Sequence, residues 1–316
     1  MNPDRRVIVA FISALTVVGI FAGLRWEQMS DIRKPDDIYS SLHPIVANES
    51  VTTTIDFSSH NFFQYATTTS SQVSTDTITA KAYLVGDVSS GKIYIEQKSS
   101  EVLPIASISK LMTAIVATDT FSSTTPITIT KEETSVPVDG SNISEGEKFS
   151  LSELLSPLLV SSSNIAAEAI ASSSNRLDFL GLMMGYSSEI GMTDTSFADP
   201  SGLSEYNQST AADIFVLAKY LYRYRSDILK ITQTSHGGIA TTTDHGSHIF
   251  TSTHPFVLGK DFLGGKTGRT IAAGETMLTI LNIKDKPIAF IVLGSQNGVR
   301  EHDTRWLIDK TKDFIL

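Results

Sequence analysis

After Ser107 the chain places Leu111, Ala114, Ile115 and Thr118 at helical spacing, which predicts a helix from Ser107 to about Thr118. A second helix is expected over Thr210–Tyr224, where Ile214, Leu217, Ala218 and Leu221 form the apolar stripe. Thr210 is its candidate cap, and Asp213 sits at the capping-box position. Further helices are expected at 151–159, 164–172 and 176–190, with a closing helix over about 301–315. Runs rich in β-branched and aromatic residues predict strands at Ala80–Gly86 and Lys92–Ile95, joined by the turn Asp87-Val88-Ser89-Ser90-Gly91. More strands are expected at Phe262–Thr267, Thr276–Ile283 and Ile288–Leu293, with Lys284-Asp285-Lys286 as a tight turn. A short strand is expected at Ile127-Thr128-Ile129. A strand pair, a helical block, then strands and a helix make an α+β domain: an antiparallel sheet with helices packed on it.

The first 77 residues follow a different pattern. Val7–Leu24 is a run of 18 residues without charge, with Ser13 and Thr16 as its polar members. As a helix it would be about 27 Å long, near the hydrocarbon thickness of a bilayer. Arg5 and Arg6 precede it, and Arg25 and Trp26 follow. We expect an uncleaved signal-anchor at 7–24 after a cytoplasmic stub, 1–6. A cleaved signal peptide is the alternative, although no clear small-x-small site follows Leu24. Arg25, Arg33 and Lys34 lie close outside, so the count of positive charges does not fix orientation. Residues 25–77, rich in Ser, Thr, Asp and Asn, read as a tether, in which Phe57, Phe62, Phe63 and Tyr65 offer docking side chains. The globular domain is expected over 78–316.

Composition narrows the chemistry. The chain has 316 residues and a net charge of −9, and its basic residues do not cluster outside the N-terminus. Nucleic acid is therefore not an expected partner, because phosphate binding needs clustered Lys and Arg. There is no cysteine, which excludes thiol catalysis, disulfides and thiolate metal sites.

Three short motifs then fall in one order: Ser107-Ile108-Ser109-Lys110, Ser162-Ser163-Asn164 and Lys266-Thr267-Gly268. Residues i and i+3 share a helix face, so the Ser107 hydroxyl and the Lys110 amine meet there. A serine hydroxyl needs a base. An ordinary lysine is neutral in fewer than about one molecule in a thousand at pH 7, so the site has to hold Lys110 neutral. Burial and a nearby cation, for which Lys266 is the candidate, act in that direction. Ser89-Ser90-Gly91-Lys92 repeats the first motif, but in a hairpin turn, where its ends share no helix face. The S-x-N pattern occurs four times. Ser59-His60-Asn61 lies in the tether, Ser295-Gln296-Asn297 follows the last strand, and Ser173-Ser174-Asn175 reads as a helix cap. Ser162 is delivered by the apolar segment Leu154–Val160 to a short loop, where it can pass a proton to a leaving amine. Asn164 there can hold a substrate amide and the Lys110 side chain. The Lys266 ammonium and the Thr267 hydroxyl can bind a carboxylate. Gly268 allows close approach of an extended peptide to a strand edge. The backbone N–H groups of Ser107 and Arg269 are candidate oxyanion donors.

In these motifs the chain resembles the serine-type D-alanyl-D-alanine carboxypeptidases among the low-molecular-mass penicillin-binding proteins. The likeness extends over about Ala80 to Leu307, including Pro104–Ala114, Gly191–Phe197, Asp199-Pro200-Ser201-Gly202-Leu203, Ser209-Thr210-Ala211 and Gly264–Gly268. It implies a β-lactamase/transpeptidase-like fold, action on peptidoglycan stem peptides and trapping by β-lactams, with no cofactor. By the same likeness Ser107 forms the acyl-enzyme, Lys110 is the base, Ser162 assists proton transfer and Lys266 binds the substrate carboxylate. Ile165 stands where many such carboxypeptidases carry Asp, and Thr251-Ser252-Thr253 where Asn-Thr-Asn is common, which bears on substrate preference. The Asp-Pro-Ser-Gly-Leu stretch also suits members that cut D-alanyl cross-links as endopeptidases. The chain ends soon after the expected catalytic domain, so membrane attachment is expected through residues 7–24. A class A β-lactamase would need a carboxylate to activate the deacylating water, and no E-x-x-L-N element follows Asn164. Glu205, the nearest alternative, fits a surface loop. A non-catalytic wall-binding module is a further alternative, set against motif side chains that are all present. Asp244, His245 and His248, with His254 nearby, invite a metal reading, but a Gly-, Ser- and Thr-rich loop predicts solvated histidines.

Overall fold

The computed structural model describes residues 78–137, 141–312 and 314. The apolar run 7–24 and the tether 25–77 lie outside the described residues. No described helix is long and apolar enough to cross a membrane.

The centre is a five-stranded antiparallel sheet of β1 (Ala82–Asp87), β2 (Ile93–Gln97), β9 (Phe262–Thr270), β10 (Gly274–Ile283) and β11 (Lys286–Ser295), in the order β2-β1-β11-β10-β9. All five strands are the ones the sequence predicts, with β9 running three residues further than expected. Lys284 and Asp285 both adopt positive φ, the geometry of a two-residue turn whose twist matches its strands. Between β2 and β9 come three short pairs: β3 (Leu103–Pro104) with β6 (Gln208–Ser209), β4 (Pro126–Thr128) with β5 (Lys148–Ser150), and β7 (His236–Ile239) with β8 (His248–Thr251).

The helices are α1 (Lys110–Thr120), α2 (Lys131–Thr134), α3 (Leu151–Ser156), α4 (Asn164–Ser172), α5 (Arg176–Glu189), α6 (Ala211–Tyr224), α7 (Ser226–Thr232) and α8 (Arg300–Thr311). Thr210 caps α6 by accepting from the Asp213 N–H. The Asp213 carboxylate does not return to the cap. It accepts from the Asp194 N–H and the Thr195 hydroxyl, so the expected box is half made. On one face of the sheet, Tyr83, Val85, Met277, Phe290 and Val292 pack with Leu307 of α8. The other face meets α6 through Phe215, which lies against Gly86. Helix α1 runs through the helical layer, and Lys110 to Ala117 are all buried. Burial of its larger side chains, Leu111, Met112 and Ile115, contributes about 1.5–3 kcal/mol each.

Two expectations change. The segment around Asp244 is an exposed loop, as expected, but the histidines in and beside it are not solvated. His245, His248 and His254 are 6%, 7% and 4% exposed. The β7–β8 hairpin lays His245 and His248 against the Phe149 ring, and each reaches a glutamate: His248 meets Glu147 at 2.9 Å and His245 meets Glu153 at 3.4 Å. The helix expected at 151–159 stops at Ser156 and continues as a π-helical turn, Pro157–Ser161.

Candidate active site

Strand β9 is an edge of the main sheet, and its free side faces the helical layer. The chain reaches that junction from β3 through Ile105, whose N–H donates to the Asn207 carbonyl and whose carbonyl accepts from the Thr276 hydroxyl on β10. A 3-10 turn, Ala106–Ser109, then leads into α1 and carries Ser107. Ala106 sits at φ +50, a costly region for a residue with a Cβ. Across from it Gly202 has φ +84, and a Cβ there would collide with the Ala106 carbonyl. A Cβ at Gly268 would stand 2.8 Å from the Ser107 nitrogen and 2.5 Å from the Thr276 hydroxyl. The missing side chain at 268 therefore lets β9 close directly on the Ser107 turn.

Lys110 is fully buried and meets three oxygens. Its Nζ lies 2.9 Å from Ser107 Oγ, 2.8 Å from Asn164 Oδ1 and 2.5 Å from the Ser201 carbonyl. The last contact is made by the backbone, which is why side-chain motifs do not reveal it. Asp199 shapes that loop, accepting from the backbone N–H groups of Ser201, Gly202, Leu203 and Ser204 and from the Ser201 hydroxyl. Asn164 opens α4, while Ser163 accepts from the Ala166 N–H as its cap. Ser162 stands between the π-helical turn and this cap in the left-handed region, φ 66, ψ 36. That conformation aims its hydroxyl at β9, where it accepts from Lys266 Nζ at 2.8 Å.

Lys266 is 1% exposed and also donates to the Thr267 carbonyl at 2.9 Å. Among the described residues it forms no ion pair. Burial pushes its pKa well below the ordinary lysine value, and the charges of Lys110 and Arg300 push the same way. Lys110 and Lys266 are among the largest fully buried side chains of the domain, beside Phe179 and Phe290. A buried ammonium costs several kcal/mol, so two buried lysines close together make this junction the candidate functional site.

Thr267 is 3% exposed, and its hydroxyl lies 2.7 Å from that of Thr253. The Arg269 side chain is exposed and donates to Asn297 Oδ1 at 3.4 Å. The structure thus gathers Ser107, Lys110 and Asn164 in one network and Ser162 and Lys266 in a second, with Gly268 against the Ser107 backbone. The sequence offers Ser201 and Thr253 only within longer stretches, without the contacts they make here, and gives no sign of Arg300, whose Nη1 donates to the Gly268 carbonyl at 2.9 Å. Glu205 is exposed, in the loop position expected for it.

Known proteins resemble this chain to differing extents. A D-alanyl-D-alanine endopeptidase of Haemophilus influenzae is 36% identical over 160 residues, 49% of this chain and 54% of that protein. The chain therefore spans about half the length of that relative. The D-alanyl-D-alanine carboxypeptidase DacF of Bacillus subtilis is 30% identical over 247 residues, 75% of this chain and 62% of that protein. Penicillin-binding protein D2 of Listeria monocytogenes, solved with cefotaxime bound, superposes with a TM-score of 0.65 at 27% identity, covering 74% of this chain and 97% of that one. The model of the D-alanyl-D-alanine carboxypeptidase family matches residues 67–297, from ahead of β1 to just before α8. Since that stretch holds Ser107, Lys110, Ser162, Asn164 and Lys266 together with every strand of the sheet, the chain belongs to the D-alanyl-D-alanine carboxypeptidase family.

Proposed function

We propose that the chain is a serine-type D-Ala-D-Ala carboxypeptidase, acting on peptidoglycan stem peptides through an acyl-enzyme on Ser107. The observation that carries this reading is Lys110 Nζ at 2.9 Å from Ser107 Oγ, beside two groups that can only accept, Asn164 Oδ1 and the Ser201 carbonyl. In the neutral amine the two N–H bonds serve those acceptors, and the lone pair is left for the Ser107 proton. Oγ then bonds to the carbonyl carbon of the penultimate D-alanine. Its oxyanion takes the backbone N–H groups of Ser107 and Arg269. The C–N bond breaks as Ser162 passes a proton to the leaving amine and takes in its place the proton that Lys110 accepted from Ser107, which returns Lys110 to its neutral form. Water, with Lys110 again as base, hydrolyses the ester and frees Ser107.

Lys266 and Thr267 bind the carboxylate of the leaving residue, and the lack of an ion pair at Lys266 among the described residues supports this. A β-lactam carries a comparable carboxylate and acylates the same serine. Residues 7–24 anchor the chain in the cell membrane, with 25–77 as the tether that holds the domain outside. No cofactor enters this scheme.

A second reading, hydrolysis of D-alanyl cross-links, is favoured by the endopeptidase names of the Haemophilus influenzae relative and of one from Pseudomonas aeruginosa, 30% identical over 217 residues. Mass spectrometry after incubation with a labelled penicillin tests the shared chemistry. A long-lived adduct on Ser107 is expected, whereas rapid drug turnover would indicate a lactamase and no adduct a binding module. Release of D-alanine from a pentapeptide, set against cleavage of a cross-linked dimer, then separates the two peptidase readings.

The clamp also predicts a pH dependence. Only protonated Lys266 attracts a carboxylate, and its pKa is lowered. Affinity is therefore full at low pH and lost as pH rises through that lowered value, below the ordinary 10.5. A bound carboxylate opposes the loss by favouring the ammonium. KM for a carboxylate-terminated peptide rises on the alkaline side, while KM for its amide stays level. Parallel profiles for the two would remove Lys266 from this role.

A further inference from the structure

Between β8 and β9 the chain passes through Thr253, which has no part in the scheme above. Its backbone N–H donates to the Val160 carbonyl at 3.2 Å, two residues before Ser162. The next residue, His254, is buried under the sheet. Its Nε2 lies 3.1 Å from the Leu278 carbonyl and 3.3 Å from the Thr279 hydroxyl, and its Nδ1 accepts from the Phe256 N–H at 3.3 Å. Burial lowers its pKa to about 3, so the imidazole stays neutral and keeps this pattern over the working pH range. Thr253 is thus held from both sides, by the turn that presents Ser162 and by β10 beneath.

From this position its hydroxyl meets that of Thr267 at 2.7 Å. Each hydroxyl brings one proton and can both donate and accept. The shared bond uses one of the two protons, whichever residue supplies it. The other remains for an outside acceptor. A threonine hydroxyl without such a partner is free to turn about its C–O bond, and ordering it on binding costs affinity.

We propose that Thr253 is a positioning residue for substrate recognition: paired with Thr267, it presents one aimed O–H beside Lys266 to the carboxylate of the leaving residue. This rests on the reading that Lys266 and Thr267 bind that carboxylate. The pair ties the segment ahead of β9 to β9 itself and touches neither Ser107 nor Lys110, so its effect falls on binding of the anion.

The test uses the full chain, diacetyl-lysyl-D-alanyl-D-alanine and the C-terminal amide of the same peptide. Thr253→Val is expected to raise KM for the acid about fivefold, the weight of ordering one freed side chain on binding, with kcat and the kinetics on the amide unchanged. Thr253→Ser, which keeps the hydroxyl, stays within about twofold of the parent on both peptides. An equal loss on acid and amide, a fall in kcat alone, or failure of the serine variant to restore KM would each overturn the proposal. If the parent chain itself releases no D-alanine and takes no penicillin on Ser107, the carboxypeptidase reading falls. If the parent is active and Thr253→Val matches it, only the role of Thr253 falls.

Discussion

A Ser107→Ala chain takes up no penicillin and releases no D-alanine. The variant removes one oxygen from a turn whose backbone is fixed elsewhere, by the Ile105 carbonyl on Thr276 and by the Ile105 N–H on Asn207. Its stability should therefore stay close to that of the parent, since the lost Oγ contacts are one bond to Lys110 and a long one to Ser201. The Lys110 amine remains but has no hydroxyl to activate. Intact-mass measurement after incubation with the drug, with circular dichroism for the fold, checks both halves. An adduct that persists and maps to Ser162 would move the nucleophile to the second network.

Lys110→Met slows acylation of Ser107 about a thousandfold, within the range expected when a general base is removed. Methionine keeps much of the aliphatic stem, so the fully buried site is still filled. Asn164 Oδ1 and the Ser201 carbonyl each lose a donor, which costs about 1–3 kcal/mol per group if no water replaces it. Melting is therefore expected at a lower temperature than for Ser107→Ala. Acylation has to be timed well below that temperature so that chemistry and unfolding are not confused. Acylation within tenfold of the parent rate would exclude Lys110 as the base. Because Ser107→Ala and Lys110→Met act on one proton transfer, the double variant should lose no more activity than Ser107→Ala alone.

The parts of this site that the sequence reveals are those in which neighbours along the chain remain neighbours in space. Ser107 and Lys110 share a helical turn, and Lys266 to Gly268 share a strand, so spacing alone predicts how each group is displayed. The five long strands were legible because their apolar runs are bounded by turns such as Lys284-Asp285. What escaped notice involves pairings distant in sequence. Ser201 contributes a carbonyl, which every residue has, and it reaches Lys110 only because Asp199 folds its loop. Thr253, in the segment ahead of β9, meets Thr267 on β9 itself. The β7–β8 hairpin is short and rich in Gly, Thr and His, with little β propensity of its own, and packing against Phe149 holds two of its histidines. The π-helical turn at Pro157–Ser161 is equally invisible to a helical count, yet it sets where Ser162 emerges.

Ala106 and Ser162 both carry a Cβ in a backbone region that normally suits glycine. Holding them there costs on the order of 1–3 kcal/mol each, supplied by the surrounding packing. Two jaws that both face β9 are thereby kept slightly sprung at rest. Glycine at either hinge would relax the tension, but it would also let the jaw swing through many poses. The domain accepts a lower melting point in exchange for a mouth already set to its gape before any peptide arrives.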